Sequence, residues 1–138
     1  MLMAKLFLEV VTPEGVLVSQ EVDLLMASGT EGEFGILPGH INFLSGIVPG
    51  ELRFDHGGKS EYMAITSGFA EVSDNKISIL VDSAEKAVDI DFERAKRAFD
   101  RAKERLEKDR ETEDIDFLRA ELALKRAVSR MKVAKKVQ

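Results

Sequence analysis

Between Lys5 and Ala84 apolar and polar positions alternate at period two. "KLFLEVV" (Lys5–Val11), "VLVSQEVDLLMAS" (Val16–Ser28), "YMAITS" (Tyr62–Ser67) and "ISILV" (Ile77–Val81) carry this alternation, and the turn phrases "TPEG", "GTEG" and "SDNK" interrupt it. Nine of the ten glycines lie at or before Gly58, with Gly68 the tenth; together with all three prolines they read as punctuation between runs. Alternation with frequent breakers predicts half-buried strands, about ten short ones, closed into a β-sandwich. Past Ala84 neither Gly nor Pro occurs again, and Ala, Glu, Lys, Arg and Leu take over, all strong helix formers.

In this second part the apolar period changes to alternating threes and fours. Phe92, Ala95, Phe99, Ala102 and Leu106 form one seam; Phe117, Ala120, Leu124, Ala127, Met131 and Ala134 form another. Each is a narrow stripe of coiled-coil width. The charged stretch "EKDRETED" (Glu107–Asp114) between them is long enough to reverse the chain, so two antiparallel helices are expected. The predicted class is α+β: a β-sandwich over residues 1–84, then a helical hairpin over residues 85–138. Alanines in both seams let the helices approach closely but bury little area, so the hairpin should open easily.

The hexapeptide "IDFERA" at Ile90–Ala95 has a near copy, "IDFLRA", at Ile115–Ala120. In both, Asp precedes a periodic apolar stretch, where its carboxylate can accept from the unpaired N–H groups of a helix start and oppose the helix dipole. On pattern alone the phrase is a helix-start signal used twice.

With 138 residues the chain holds one ordinary domain, or a small domain with an appendage. No apolar run approaches the ~20 residues that cross a bilayer, and the first residues lack the apolar stretch of an export signal, so export is not expected. The net charge of −5 hides opposite halves: residues 1–84 carry 4 basic and 12 acidic residues, and residues 85–138 carry 16 and 13. Within the last 22 residues Arg119, Lys125, Arg126, Arg130, Lys132, Lys135 and Lys136 face Glu121 alone, an end that seeks anions.

Chemistry of the enzymatic kind finds little support. Cysteine is absent and only two histidines occur, which excludes disulfides and argues against a closed zinc site; no metal site is expected. No carboxylate pairs with a nucleophile or base in a recognisable arrangement, so no catalytic residue is assigned. A GxxxxGK[ST] phosphate loop is missing, and "GTEGEFG" (Gly29–Gly35) leads into "ILPGH", which cannot open a helix beside Pro38. The strongly acidic β part, with one Tyr and no Trp, argues against a nucleic-acid partner.

The stretch "GEFGILPGH" (Gly32–His40) carries more information. It reads as an exposed aromatic between two glycines, an inward Ile36–Leu37 pair and a Pro-Gly turn that presents His40 for a protein contact. Here the chain resembles the ε subunit of bacterial and chloroplast F-type ATP synthases, the δ subunit in mitochondria. The resemblance continues through "SGFAEV" (Ser67–Val72), "KISILVDSAE" (Lys76–Glu85), "IDFERA" and "ELALKRAVSR" (Glu121–Arg130), in order and over essentially the whole chain. It departs at Asn42, where the family often has proline.

The resemblance implies a non-catalytic rotor subunit whose sandwich clamps γ and rests on the c-ring, with Glu33 and His40 at the matching contact positions. It implies peripheral association with the cytoplasmic face of the bacterial inner membrane, through the complex. Family members with Ile/Leu-Asp-x-x-Arg-Ala bind ATP in the folded hairpin as a regulatory ligand, no other cofactor being required. Ile90, Asp91, Arg94 and Ala95 match that pattern, and Glu85, Arg101, Arg126 and Arg130 fall where the family's other nucleotide contacts lie. Spacing is compatible: Arg94 and Arg101 share one helix face, Arg126 and Arg130 another. In the family the helices also extend among the α and β subunits and oppose hydrolysis. The reading that needs no ATP synthase is a stand-alone adaptor with an acidic β face and a basic helical one.

Overall fold

The computed structural model describes residues 5–108 and 114–137. Ten strands come first: β1 (Leu6–Thr12), β2 (Gly15–Val22), β3 (Leu24–Gly29), β4 (Gly32–Ile36), β5 (Phe43–Ile47), β6 (Gly50–His56), β7 (Lys59–Ile65), β8 (Gly68–Ser73), β9 (Lys76–Val81) and β10 (Ala84–Lys86). Helices α1 (Phe92–Lys108) and α2 (Asp114–Ala134) follow. The expected α+β order, strands then two helices, is the one observed.

Neighbouring strands run in the order β10, β7, β6, β3, β5, β8, β9, β1, β2, with β4 paired to β3 off this path. All pairs are antiparallel except β1 with β9, which run parallel with Phe7 opposite Lys76 and Val11 opposite Leu80. Strand β1 shows how the alternation becomes a core: Leu6, Leu8, Val10 and Thr12 are buried, and the residues between them are half-buried. Their counterparts Leu25, Ile36, Leu52, Met63, Ile65, Ile77 and Ile79 close the same interior. Each such side chain contributes about 1.5–3 kcal/mol when removed from water.

Two strand expectations are corrected. The run Val16–Ser28 is two strands, not one, because the chain changes partners at Asp23, leaving β1 for β4 and β6. The corner is held by the Asp23 N–H donating to the Asp55 carbonyl (2.7 Å) and by Asp23 Oδ2 accepting from the Gly57 N–H (3.1 Å). Second, several glycines lie within strands rather than between them, among them Gly50 and Gly68, because neighbouring chain passes too close for a side chain. A Cβ on Gly50 would stand 2.5 Å from Ser28 Oγ, and one on Gly68 only 1.9 Å from the Leu80 carbonyl oxygen.

The loop motif is also corrected in part. Phe34 is not an exposed aromatic: it is half-buried against the core, its ring 5.2 Å from that of Phe43. Ile36 points inward as expected, but Leu37 points out and is 60% exposed, since β4 ends at Ile36 and the turn begins there.

The sheet extends past the last glycine to Lys86, which puts Glu85 on an edge strand opposite Ala64 of β7 rather than in the helical part. A 3₁₀ turn (Ala87–Asp89) then leads to α1. Asp91 caps that helix as expected, its Oδ1 accepting from the Arg94 N–H at 3.1 Å. The second copy of the hexapeptide behaves differently. Helix α2 already begins at Asp114, so Asp116 stands inside the first turn and not ahead of it; the reversal itself, at 109–113, lies outside the described residues.

The seams form as predicted: Ala95, Ala102, Ala120, Ala127 and Ala134 are buried, with the larger seam residues half-buried around them. Leu106 and Phe117 line one groove at the connected end, while Lys135 lies over the Phe92 ring (5.3 Å) at the other, so the helices are antiparallel. Helix α2 has a second contact face the seam pattern does not reveal. Val133 and Ala134 pack with Ala64, Ala87 and Ile90 in a small cluster on the outside of β7. For that reason β7 loses its alternation and buries Met63, Ala64 and Ile65 in succession.

Gly68→Ala should cost about 3 kcal/mol or more, because the clash is with backbone that cannot rotate away. Denaturant unfolding of the full chain checks this; a loss below about 1 kcal/mol would mean that β8 and β9 can part without harm.

Candidate functional site

Where the hairpin lies across the edge of the sheet, a cavity of about 440 Å³ remains between them, within the ~300–1,000 Å³ typical of small-molecule sites. Its floor is Ala64 and Ile65 of β7 and the following Thr66, with Ser83 and Glu85 beside them. The hydroxyl of Thr66 accepts from the Ser83 N–H (2.9 Å) and the Thr66 N–H donates to the Ser83 carbonyl (3.1 Å), which ties β7 to the start of β10. Helix α1 supplies Ala98, Arg101, Ala102 and Arg105, and α2 supplies Ala120, Ala123, Arg126, Ala127 and Arg130. The local cause is spacing. Arginines four apart on each helix share a face, and alanines one turn away leave the volume unfilled.

The electrostatics are one-sided: four guanidinium groups face one carboxylate among the residues that line the cavity. Arg130 and Glu85 form an ion pair, with Nε 2.8 Å from Oε1 and Nη2 donating to Oε2 at 3.3 Å. The Nε–H is not aligned for a hydrogen bond despite its short distance, so the contact is a charge pair with one weak hydrogen bond. Glu85 thus offsets one arginine and leaves Arg101, Arg105 and Arg126 facing a space that no further anionic side chain lines among the described residues. Alanine walls and convergent cationic forks are suited to a flat apolar group joined to a multiply charged anion.

Of the residues singled out from sequence, the structure brings Glu85, Arg101, Arg126 and Arg130 together on this cavity. Ile90, Asp91, Arg94 and Ala95 are not among the residues lining it. Ile90 is buried in the small cluster against Val133, Asp91 caps α1, Ala95 is buried in the seam, and Arg94 is exposed on α1. Arg119 of the second hexapeptide is exposed and also does not line the cavity. Sequence reasoning missed Arg105, whose signal was its position four after Arg101. It also missed Thr66 and Ser83, which only the β7–β10 pairing brings into place.

The docking of α2 rests on a few polar contacts beside the cavity. Ser129 is buried, and its hydroxyl donates to the Gly50 carbonyl at 2.6 Å. Lys136 lies over the Tyr62 ring (5.1 Å) and 4.0 Å from Glu51 Oε1. Lys136 also lines a shallow groove with Glu33, Glu51 and Arg53. In that groove Arg53 is raised above the usual guanidinium range by its hydrogen bonds to Asp55, and Asp55 is lowered by hydrogen bonds from Arg53 and Ser60.

Glu33 and His40, the predicted protein contacts, are set apart by the turn. Glu33 is exposed on β4, opposite Ser28. His40 closes the turn Leu37–His40, its N–H donating to the Leu37 carbonyl at 3.1 Å. The His40 ring meets that of Phe43 edge-on at 5.7 Å, and its Nδ1 is 2.7 Å from the Ile41 carbonyl.

Comparison with known proteins gives concordant matches. Residues 5–87 match the family model of the ATP synthase delta/epsilon chain β-sandwich domain, and residues 89–135 that of the delta/epsilon chain long α-helix domain. The ATP synthase epsilon chain of Nitratidesulfovibrio vulgaris strain DP4 is 52% identical over 101 residues, 73% of this chain and 75% of that one. That of Carboxydothermus hydrogenoformans is 50% identical over 102 residues, 74% and 76% of the two chains. Among solved structures, a chain in the Euglena gracilis mitochondrial ATP synthase (OSCP/F1/c-ring) superposes with a TM-score of 0.82 at 25% identity, covering 96% of this chain and 82% of that one. A chain of the Tetrahymena thermophila mitochondrial ATP synthase central stalk/c-ring shares the fold, with a TM-score of 0.61 at 17% identity over 99% and 98% of the chains.

Ser129→Ala should loosen the hairpin by about 1 kcal/mol, since it leaves the Gly50 carbonyl without its donor. Amide exchange of the full chain should then quicken about fivefold in α2 and remain unchanged in β1 and β9; equal quickening everywhere would show that Ser129 supports the whole fold and not the docked helix.

Proposed function

The chain belongs to the delta/epsilon chain family of ATP synthases, and from that membership we propose that it is a non-catalytic central-stalk subunit with a nucleotide-sensitive brake. In this reading the sandwich joins γ to the c-ring, through Glu33 and the turn carrying His40. The helical hairpin switches between the compact form described above and an extended form among the α and β subunits that opposes ATP hydrolysis. The complex holds the chain at the cytoplasmic face of the bacterial inner membrane; among the described residues no helix is itself long and apolar enough to cross one.

The observation that supports the brake is the cavity of four arginines and one glutamate, which exists only while both helices lie on the sheet. ATP supplies what the cavity lacks. Its phosphates offer the negative charge that Arg101, Arg105, Arg126 and Arg130 can hold through charge-assisted hydrogen bonds. Glu85 and the backbone beside Ile90 read the adenine edge. Arg94, nearly two turns before Arg101 on the same face, extends the cationic side, while Asp91 and Ala95 hold the start of α1 in place.

Because each helix contributes two arginines, separating the helices destroys the site, and a ligand bound there stabilises the compact form alone. At 100 times its dissociation constant that stabilisation is ~2.7 kcal/mol, enough to move a nearly balanced pair of conformations almost completely to one side. In the extended form Arg126 leaves the cavity, and Arg130, Lys135 and Lys136 give up their contacts in the compact form. They join Arg119, Lys125 and Lys132 as a basic stretch suited to acidic loops of the β subunits.

Calorimetric titration of the full chain with ATP tests the site. Arg126→Ala should weaken binding about tenfold or more, and Arg119→Ala should leave it within about twofold; an unchanged Arg126→Ala titration contradicts the assignment. Deleting residues 91–138, which spares β10, should leave the complex assembled and raise its ATPase rate at low ATP. An unaltered rate would remove the brake.

A further inference from the structure

We propose that Asn75 is the positioning residue of the docking turn, anchoring Leu37–His40 to the β8–β9 turn and to β1 and so holding His40 where it meets γ. The inference rests on the reading of that turn as a γ contact. Pro38 and Gly39 occupy its central positions, Gly39 with φ +85°, and the His40 N–H closes it on the Leu37 carbonyl, which together define a type II turn. Turning over the central amide converts type II to type I, keeps the same closing hydrogen bond, and is open to a Pro-Gly pair because glycine adopts either sign of φ.

A Pro-Gly pair itself favours type II, and the Gly39 N–H, which points out of the turn in that form, ties it to the body by donating to the side-chain oxygen of Asn75 at 2.7 Å, 36 residues away in sequence. That acceptor is itself firmly placed. Asp74 and Asn75 both have positive φ, 49° and 61°, as the tight two-residue turn between β8 and β9 requires. The Asn75 carbonyl accepts from the Phe7 N–H of β1 at 2.8 Å. One residue therefore joins the β8–β9 turn, β1 and the turn that presents His40. Leu37 and Ile41 on either side are 60% and 78% exposed, so what this anchor holds in place is an apolar and imidazole surface.

Two variants separate the side chain from the backbone. Asn75→Gly keeps the left-handed conformation and the carbonyl bonded to Phe7 but removes the acceptor; Asn75→Asp keeps an acceptor. In the full-length chain, Asn75→Gly should speed exchange of the Gly39 amide at least about tenfold. It should raise the dissociation constant for the γ subunit about fivefold, with the melting temperature within a few degrees of the original. Asn75→Asp should restore both exchange and affinity. Unchanged Gly39 exchange in Asn75→Gly overturns the proposal, as does loss of affinity that Asn75→Asp does not restore. Faster exchange with unaltered affinity also overturns it, and His40→Ala then shows what failed. A loss of affinity in His40→Ala keeps the turn as a γ contact without the role of Asn75, and no loss removes the contact as well.

Discussion

Four guanidinium groups share one cavity with the single carboxylate of Glu85, and their mutual repulsion is the constraint on which the behaviour of the compact form turns. Like charges brought together in a partly enclosed space favour any rearrangement that separates them or any anion that neutralises them. In the proposed switch, folding the hairpin onto the sheet creates this arrangement and opening it relieves it. The structure meets the cost only in part, through the Glu85–Arg130 pair, whose partners are both half-buried.

Against this repulsion stands a thin set of attractions. Five of the eleven seam residues are alanine, and α2 meets the sheet through a cluster of five buried small or medium apolar side chains, with Tyr62 and Phe92 half-buried against it, and one buried hydroxyl. Two lysines resting on aromatic rings complete it. Such an interface gives a hairpin that is formed but not locked, whereas the sandwich, with its contiguous core of Leu, Ile and Val, is stable on a different scale. In the proposed function this becomes a division of labour: a rigid body for gripping, and a loosely held arm whose position a ligand biases.

Much of this was legible before the fold was known. Period-two alternation in β1 and β9 and the alanine seams of α1 and α2 each name one face, and each face is buried as expected. The cap at Asp91 was readable because an N-terminal carboxylate acts locally. What pattern could not supply depends on pieces distant in sequence. The break at Asp23 follows from a change of strand partner. Ala64 loses its outward exposure because a helix some seventy residues later covers it. Leu37 reads as core and points out because a turn begins there. In the site, Arg101, Arg126 and Arg130 were named by the family resemblance, with which helical spacing agreed, and Arg105 was missed. Thr66, Ser83 and the unpredicted position of Glu85 on a strand depend on the β7–β10 pairing, which leaves no periodic trace in so short a segment.

The claim at the centre is that a polyphosphate ligand holds the two helices on the sheet. The chain has no cysteine, so spin labels can be placed at will, and Glu71→Cys with Lys132→Cys reports the separation of the sandwich and the second helix. Pulsed electron-resonance distances on the full chain should show short and long populations without ATP and the short one alone at saturating ATP. An identical distribution in both conditions, with ATP bound, would contradict the account.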